Sequence, residues 1–500
     1  MSSPSEDVPD QALWQDLEEA TGVQRAEILR ELAGRCYGRD DVDEAAALFE
    51  GAAQAYRESA LDEDAAEALY WFGQSLRRVG RFDEAVVTLR EASDLYREVG
   101  DQGQLGSCHL AIGRSLVESE AGEASLEEFD AAERLFLAAE DREAAGRSAM
   151  FRGETLGRLS RQTEALSVFQ RARELFREAS LPFLAARAND RAAAALIDLG
   201  RVVEAVDVLR ACELVMQNSG DPNDRGYAAY RLGWTLRMRN AFDEALPLLE
   251  KAHREYAEDG DFHGMASCDL EAAHCLAGQD DFAEADRLYS RARAMFDAVG
   301  DDYSVLLCDS GRAQTFRDRG EIAEAMRVQR GALDRAREQG QWWVASAMIT
   351  RVADDLLTLG RSSEALELLE GAAETDVDLG DETHEQNFRR YVLAAAALAE
   401  GDLDRAARLS EEGIDALTDT DDISRLADMH KVHSATRRGI DPSGADRELA
   451  YAVALYLAAG DTQKATDLST TFQPPEPTGT RLLNGNTSIN PRALSGRGDD

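Results

Sequence analysis

The sequence repeats with a period of 40 residues, and this period restricts the possible folds more than any other feature. An acidic residue followed by alanine recurs in one fixed register at Glu44-Ala45, Glu84-Ala85, Glu164-Ala165, Glu204-Ala205, Glu244-Ala245, Glu284-Ala285, Glu324-Ala325 and Glu364-Ala365. The third repeat has Ala124-Ser125 at this place, and a drifted copy, Arg405-Ala406, follows one residue late. Such a period indicates one continuous stack of similar units, so the chain length does not translate into a number of separate domains.

Three further sets of positions follow the same period. A small residue lies 12 positions before the repeated alanine: Ala33, Gly73, Gly113, Gly153, Ala193, Gly233, Ala273, Ala313 and Ala353. A second small residue lies seven positions after it: Ala52, Ala92, Ala132, Ala172, Cys212, Ala252, Ala292, Ala332 and Ala372. A bulky residue follows four positions later: Tyr56, Tyr96, Phe136, Phe176, Met216, Tyr256 and Phe296. Residues three, four and seven apart share one stripe of an α-helix, and small residues there let a neighbouring helix approach closely.

Each repeat contains two expected chain breaks. One is a short turn before the acidic residue, as in Gly80-Arg81, Gly200-Arg201 and Gly360-Arg361. The other is a Gly-Asp step, found at Gly100-Asp101, Gly220-Asp221, Gly260-Asp261, Gly300-Asp301, Gly380-Asp381 and Gly460-Asp461. A glycine ends one helix, and the aspartate caps the next. Each repeat is therefore predicted to form two antiparallel helices of roughly 16 to 19 residues.

These motifs resemble the tetratricopeptide repeat. One copy runs from Gly73 and Leu76 through Gly80-Arg81-Phe82-Asp83-Glu84-Ala85 to Leu89 and Ala92, and another from Gly233 through Phe242-Asp243-Glu244-Ala245 to Leu249 and Ala252. The resemblance implies an all-α fold, a right-handed superhelical solenoid of about eleven antiparallel helix pairs over residues 22–460. The period exceeds the usual length of about 34 residues, and the family's tryptophan near the start of the first helix is absent. Residues 1–21 are expected to form a polar segment and residues 461–500 a mostly disordered tail.

The charge balance restricts the classes of partner. The formal net charge is −41, from 96 acidic and 55 basic residues, which disfavours binding to nucleic acid and to anionic membranes. No basic segment followed by an apolar stretch opens the sequence, and no run of about 18 apolar residues occurs, so a cytoplasmic protein is expected. Only Lys251, Lys431 and Lys464 are lysine. Because arginine supplies the other basic residues, we expect a high-GC bacterial gene or a phage of such a host.

We expect no enzymatic activity and no cofactor. The sequence contains no GxxxxGK[ST] motif, and no GxGxxG motif that follows a strand. Cys108, Cys268 and Cys308 share one column of small residues, and the cysteines are interpreted as reduced packing residues. His430 and His433, three apart on a helix, could share a metal ion, but no third ligand is evident. A solvated histidine pair is favoured, and no metal site is expected.

The resemblance implies that the first helix of each pair lines the inner, concave surface of the solenoid. Its exposed positions lie three and two residues before the first small residue of each repeat, and one and four residues after it. They hold several aromatic and arginine residues, which are favoured as anchors at protein interfaces. The candidate partner-binding residues are Tyr70, Trp71, Gln74, Arg77, Phe151, Arg191, Tyr230, Arg231, Trp234, Arg237, His274, Arg317 and Arg351. The lysine and asparagine residues of the family's carboxylate clamp do not occur at these positions.

Three functions are compatible with these features. The first is a non-enzymatic scaffold or adaptor that binds a peptide or helix of a partner protein in the concave groove. The second is a signal-sensing regulator, which would act by sequestering a partner because the repeats begin near residue 22 and leave no room for an output domain. The third is a structural component of a larger assembly, such as a phage particle or secretion machinery. The partner, the pathway and the oligomeric state stay open.

Overall fold

The computed structural model describes residues 8–373, 384–418, 420 and 422–470, which form α-helices joined by short turns, with no β-strand among them. The chain divides into two compact units, Met1–Cys268 and Asp269–Asp500, called here the N-terminal unit and the C-terminal unit. The N-terminal unit contains α1 (Val8–Glu19), α2 (Gly22–Gly38), α3 (Val42–Glu58), α4 (Asp62–Arg78), α5 (Phe82–Val99), α6 (Gln102–Glu118), α7 (Gly122–Ala138), α8 (Arg142–Arg158), α9 (Gln162–Glu178), α10 (Pro182–Asp198), α11 (Val202–Met216), α12 (Pro222–Met238) and α13 (Phe242–Asp259). The boundary lies within α14 (Phe262–Gly278), and the C-terminal unit continues with α15 (Phe282–Val299), α16 (Asp302–Asp318), α17 (Ile322–Glu338), α18 (Trp342–Thr358), α19 (Ser362–Ala373), α20 (His384–Ala399), α21 (Leu403–Leu417), α22 (Ile423–Arg437), α23 (Pro442–Ala458) and α24 (Thr462–Thr470).

Helices α2 to α23 make up eleven consecutive pairs, whose even-numbered members are the first helices and odd-numbered members the second helices. Consecutive helices pack against each other from α2 to α13 in the N-terminal unit and from α15 to α24 in the C-terminal unit. Where the connection is described, which leaves out the one between α19 and α20, it is short, so these neighbours run antiparallel. The predicted all-α fold and the predicted number of helix pairs are confirmed, whereas the handedness of a superhelix stays a prediction.

A residue with positive φ recurs at half of the sequence period, once after each helix. In this series of positions, which runs from 40 to 360, eight glycines and eight other residues have positive φ, and Gly220 is the exception. Ala60 has a φ of 55° and Gly80 a φ of 81°. A left-handed residue of this kind ends a helix and reverses the chain, so first and second helices are followed by equivalent turns. The series is one residue late at Gly401, in agreement with the drift at Arg405-Ala406.

The Gly-Asp steps form the predicted helix ends at four places. The glycines with positive φ are Gly100, Gly260, Gly300 and Gly460. The following aspartates accept a hydrogen bond from the backbone N–H three residues later, at Asp101, Asp261, Asp301 and Asp461. At Gly220-Asp221 only the cap forms, because Asp221 accepts from the N–H of Asn223 while Gly220 lacks a positive φ. The step Gly380-Asp381 lies outside the described residues.

The periodic residues build the core between the helices. All eight alanines of the acidic-alanine pairs are fully buried, as are Ser125 and Ala406, which occupy the same column. The bulky residues of the second helices are buried as well, from Tyr56 at 1% to Tyr256 at 5% exposure. Large side chains of one helix thus fill the space that small residues leave on its neighbour.

Two helices lie outside the predicted repeats. Helix α1 occupies most of the segment 1–21, and its Leu17 belongs to the same apolar cluster as Leu32. Helix α24 forms the start of the segment 461–500 that was expected to be mostly disordered, and its Ala465 is buried in a cluster with Leu455 and Tyr456. The remainder of that segment, residues 471–500, lies outside the described residues. No helix in the described part of the chain has both the length and the apolar character that crossing a membrane requires.

Candidate partner-binding face

The first helices of each unit contact one another across the helix pairs. In the N-terminal unit α4 contacts α6, α6 contacts α8 and α8 contacts α10, and in the C-terminal unit α18 contacts α20 and α20 contacts α22. Within the described ranges, no comparable contacts join successive second helices. The first helices therefore approach one another on one side of each unit, and the surface that they expose there is called the inner face.

Trp71 of α4 is held by other aromatic rings of the N-terminal unit. The centroid of its ring lies 5.5 Å from that of Tyr37, in an edge-on arrangement, and 6.3 Å from that of Phe49, in a stacked one. The half-buried Trp71 also lines a cavity of about 520 Å³. This candidate therefore contributes to packing as well as to the inner face.

Gln74 of α4 orients its neighbours instead of facing outward. It is buried, and its side-chain N–H donates to the Tyr70 hydroxyl at 2.8 Å. Its carbonyl oxygen accepts from Nε of Arg77 at 3.3 Å, and the Arg77 guanidinium also donates to Glu118 at 2.7 Å. Tyr70 and Arg77 are thus fixed in position, whereas Gln74 is too buried to serve as a contact for a partner.

Phe151 and Arg191 lie in one cavity of about 760 Å³, which is called the N-terminal cavity. It is lined by Leu110, Arg114, Arg147, Met150, Phe151, Glu154, Phe176, Leu184, Arg187, Asp190, Arg191, Cys212, Met216, Asn223, Asp224, Tyr227 and Ala228. Phe151 stacks on Phe129 at 6.0 Å between centroids, and Arg191 forms an ion pair with Glu154 at 3.3 Å. The cavity crosses four consecutive first helices, α6, α8, α10 and α12, so a ligand in it would contact several repeats at once.

Arg231 of α12 forms a buried ion pair on the same face. Its Nε donates to Asp190 at 2.8 Å, and the Tyr227 hydroxyl donates to the other oxygen of that carboxylate at 3.1 Å. Asp190 is 6% exposed, so the pair is shielded from solvent. The Arg231 guanidinium also lies 5.5 Å from the ring centroid of Trp234. Arg231 therefore holds α10 and α12 together.

Tyr230, Trp234 and Arg237 are half-buried on α12. Tyr230 packs against the apolar cluster that contains Ala229 and Tyr256. These three residues stay candidates for binding, with part of each side chain accessible.

In the C-terminal unit, His274 and Arg317 have partners within the chain. Nδ1 of His274 lies 2.7 Å from the Tyr289 hydroxyl. Arg317 donates to both oxygens of Asp355, at 2.6 and 3.1 Å, and Asp355 is 1% exposed. These bonds fix both side chains, and Arg317 keeps its remaining surface toward the cavity described next.

A second cavity, the C-terminal cavity, has a volume of about 680 Å³. It is lined by Gln314, Arg317, Arg351, Asp354, Glu385, Phe388, Tyr391, Arg425, Asp428, Lys431, Tyr456, Lys464, Asp467 and Leu468. Arg351 lies 3.9 Å from Glu385, which is beyond hydrogen-bond distance, and burial raises the pKa of the Asp354 carboxyl. Lys431 and Lys464 are two of the three lysines of the whole chain, so this cavity concentrates a residue type that is rare elsewhere.

Several lining residues were not among the sequence-derived candidates. Arg114 directly follows the small residue Gly113, so the positional rule would have selected it in the third repeat. Arg425 could not be found in this way, because it lies in a drifted repeat. Its guanidinium lies 4.4 Å from the ring centroid of Phe388 and 5.0 Å from that of Tyr391.

The N-terminal cavity runs obliquely across the first helices. Relative to the small residue of each first helix, its lining shifts from Arg114, one position after, to Met150, three before, Arg187, six before, and Asp224, nine before. A set of fixed positions therefore identifies only part of the lining. The shift depends on how successive first helices are placed relative to one another, and the sequence repeat does not specify this placement.

The cysteines and histidines have structural partners. All six cysteines are buried and unbridged, which confirms their interpretation as packing residues, and burial raises the pKa of Cys108 to about 12. The expectation of a solvated histidine pair was wrong for His430, which is buried and lies 2.6 Å from Glu448. Nδ1 of His433 lies 3.1 Å from the Ser410 hydroxyl.

The sequence matches no protein-family model and no curated protein sequence. Among solved structures, the apo form of RapI is similar with a TM-score of 0.40 and 15% identity, over 55% of this chain and 99% of that chain. The apo form of the quorum sensor NprR from B. thuringiensis has a TM-score of 0.42 and 12% identity, over 64% of this chain and 97% of that chain. BtubC (BKLC) from P. vanneervenii has a TM-score of 0.38 and 16% identity, over 49% of this chain and 92% of that chain.

All three TM-scores lie below 0.5, so the description of the repeat rests on the chain's own sequence and helices. The acidic-alanine motif recurs every 40 residues, each period folds as two antiparallel helices, and the periodic small residues are buried between them. The chain is an all-α helical repeat protein, and its repeated motif resembles the tetratricopeptide repeat.

Proposed function

We propose that the protein is a non-enzymatic scaffold or adaptor that binds a peptide or helix of a partner protein on the inner face. The N-terminal cavity carries this proposal. Its volume of about 760 Å³ lies within the range of binding clefts, and it extends over four first helices. A segment of a partner chain that follows this path would contact α6, α8, α10 and α12 in turn.

The side chains of the cavity are of the kinds that anchor protein interfaces. Phe151 and Tyr227 supply ring surface, and Arg114 and Arg187 supply guanidinium donors. The ion pairs of Arg191 with Glu154 and of Arg231 with Asp190 hold the helices in place before a partner arrives. A preformed site lowers the entropy that binding must overcome.

Site-specific photo-crosslinking tests the proposal. A photoreactive phenylalanine analogue is introduced at Phe151 in the full chain, and the crosslinked proteins of a bacterial extract are identified by mass spectrometry. We expect one partner to be crosslinked from this position. The Phe151→Ala and Arg191→Ala variants should capture that partner at least tenfold less well if each side chain is an anchor.

A matched control lies on a second helix. Leu214 of α11 is 62% exposed, so an analogue at that position and a Leu214→Ala variant probe an apolar side chain away from the inner face. Equal crosslinking from position 214, or full capture by the Phe151 variant, would contradict binding on the inner face. A partner that is recovered only inside a large particle would instead favour a structural component of an assembly.

A further inference from the structure

Arg114 of α6 is half-buried and forms no ion pair within the described part of the chain. Its Cζ lies 5.2 Å from the ring centroid of Phe151, and no carboxylate among the described residues forms an ion pair with it. Burial, followed by the nearby positive charge of Arg77, lowers the pKa of Arg114. The negative charge of Glu118 acts in the opposite direction, but it does not offset these two causes. The charged form of Arg114 is therefore partly desolvated, and no carboxylate among the described residues lies within ion-pair distance of it.

The acidic residues around Arg114 are bonded elsewhere. Glu118, one helical turn away on α6, forms its ion pair with Arg77 at 2.7 Å. Across the cavity, Glu154 pairs with Arg191 and Asp190 with Arg231. Asp224 accepts a hydrogen bond from the Ser219 hydroxyl and is exposed to solvent. The half-buried Arg114 guanidinium thus gives the cavity a positive charge without an ion-pair partner, although the net charge of the chain is −41.

The surface next to Arg114 is apolar. Leu110 lies one turn before it on α6, and Met150, Phe151 and Leu184 line the same cavity. These side chains provide a place for a large aliphatic or aromatic group beside the guanidinium. Apolar surface gives affinity when it is removed from water, and a desolvated guanidinium gives selectivity for a carboxylate.

We propose that the N-terminal cavity recognises a segment of a partner in which aspartate or glutamate adjoins a large apolar residue. The carboxylate binds Arg114, and the apolar side chain packs against Leu110, Met150 and Phe151. The inference rests on the proposed function and specifies its ligand. The negative charge of the whole protein does not prevent this contact, because the Debye length is about 8 Å at physiological salt and distant charges are screened.

An array of random peptides, probed with the purified full-length protein, tests the chemistry. We expect the bound peptides to be enriched in aspartate or glutamate next to leucine, isoleucine, methionine or phenylalanine. The strongest binder is then labelled and titrated by fluorescence anisotropy, together with the analogue in which its acidic residue is changed to the amide. The amide should bind about tenfold to hundredfold more weakly, since a hydrogen bond to a charged group is lost.

The same titrations on Arg114→Met assign the carboxylate to its partner. This variant should bind the acidic peptide as weakly as the wild type binds the amide, and the difference between the two peptides should vanish. Arg114→Lys keeps the charge without the forked donors and should give an intermediate affinity. Arg158→Met, which removes an exposed arginine of α8 that does not line the cavity, should bind like the wild type.

Thermal unfolding separates a loss of binding from a loss of folding. Because Arg114 has no carboxylate partner in the described chain, Arg114→Met should be at least as stable as the wild type. Binders without acidic residues, or a preference for the acid that survives in Arg114→Met, would overturn this inference. If peptides that bind without this preference still crosslink to position 151, the proposed function stands and only the inference about their acidic residue fails. If no peptide binds the protein, the inference and the proposed function both fail.

Discussion

Phe169 lies directly over Gly153, so that a Cβ added to this glycine would be 2.5 Å from Cε1 of the ring. The two residues lie on the first and second helices of one pair, α8 and α9. The same relation joins Gly113 to Phe129, where an added Cβ would be 2.6 Å from Cε1. The small residue of each first helix therefore sets how closely its partner helix can approach.

Changing Gly153 to alanine should destabilise α8 and α9 by about 1 to 3 kcal/mol, because the added methyl group overpacks a filled site. This loss should appear although alanine favours helix formation by about 1 kcal/mol. Gly34→Ala is the matched control, since nothing lies within 4 Å of a Cβ at this exposed position of α2. Hydrogen exchange of the helix pairs measures both effects, and equal protection changes in the two variants would refute the packing explanation.

Ala60 has a left-handed backbone that alanine rarely adopts, at a turn equivalent to that of Gly80. Ala60→Gly should stabilise the protein by about 0.5 to 1 kcal/mol, because glycine has no steric conflict at positive φ. Gly80→Ala should have the opposite effect of similar size. The urea midpoints of the two variants provide the comparison, and shifts of the same sign would show that the turns are not equivalent.

An arginine immediately precedes four of the second helices and binds the glutamate three residues later. Hydrogen bonds from Arg81, Arg161, Arg201 and Arg361 lower the pKa values of Glu84, Glu164, Glu204 and Glu364. A lowered folded-state pKa stabilises the folded protein above the ordinary glutamate pKa, and this contribution is lost as the pH falls through the lowered value. The stabilisation should therefore be complete at pH 7 and decline below about pH 4.5.

A variant with all four glutamates changed to glutamine isolates this contribution. Its urea midpoint should be lower than that of the wild type at pH 7, and the difference should shrink below about pH 4.5 while the other carboxylates titrate equally in both proteins. Since these pairs are exposed, a high concentration of NaCl, about 1 M, should reduce the difference at pH 7. A difference of the same size at pH 3 and at pH 7 would exclude the ion pairs as its origin.

The buried ion pair between Asp190 and Arg231 should be a sensitive polar contact of the inner face. Asp190→Ala leaves the half-buried Arg231 guanidinium without its carboxylate, and we expect a loss of about 3 to 5 kcal/mol in the stability of α10 to α12. The double variant Asp190→Leu with Arg231→Met removes both charges and should recover much of this loss. Chemical denaturation of Asp190→Leu, Arg231→Met and their double variant checks the coupling, and strictly additive losses would contradict it.

The helices, their turns and their core were accessible from the sequence because they depend on local rules. The buried residues from Ala45 to Ala365 are recognisable in the sequence because a small residue recurs every 40 positions. The helix caps at Asp101 and Asp301 follow from the Gly-Asp step. Helix α24 was missed, because the repeat motif has ended there and a short helix docked on α23 carries no periodic signal of its own.

The candidate face was predicted only in outline. The sequence identified Phe151 and Arg191, which do lie in one cavity. The sequence could not show that Gln74 is buried, because its burial depends on the conformations in which Tyr70 and Arg77 contact it. Arg425 was not predicted for another reason, because it lies in a drifted repeat to which the fixed positions do not apply.

The turns recur once per helix, whereas the pattern of small, bulky and acidic residues recurs once per helix pair. An insertion of half a period would keep the spacing of the turns. After the insertion, however, first and second helices would exchange places, and the side chains that are now buried between them would face outward. Duplication of a whole period preserves both patterns. A chain of this type can therefore be lengthened or shortened by whole helix pairs without breaking either pattern, and the position of Gly401 shows that the register can also shift by one residue.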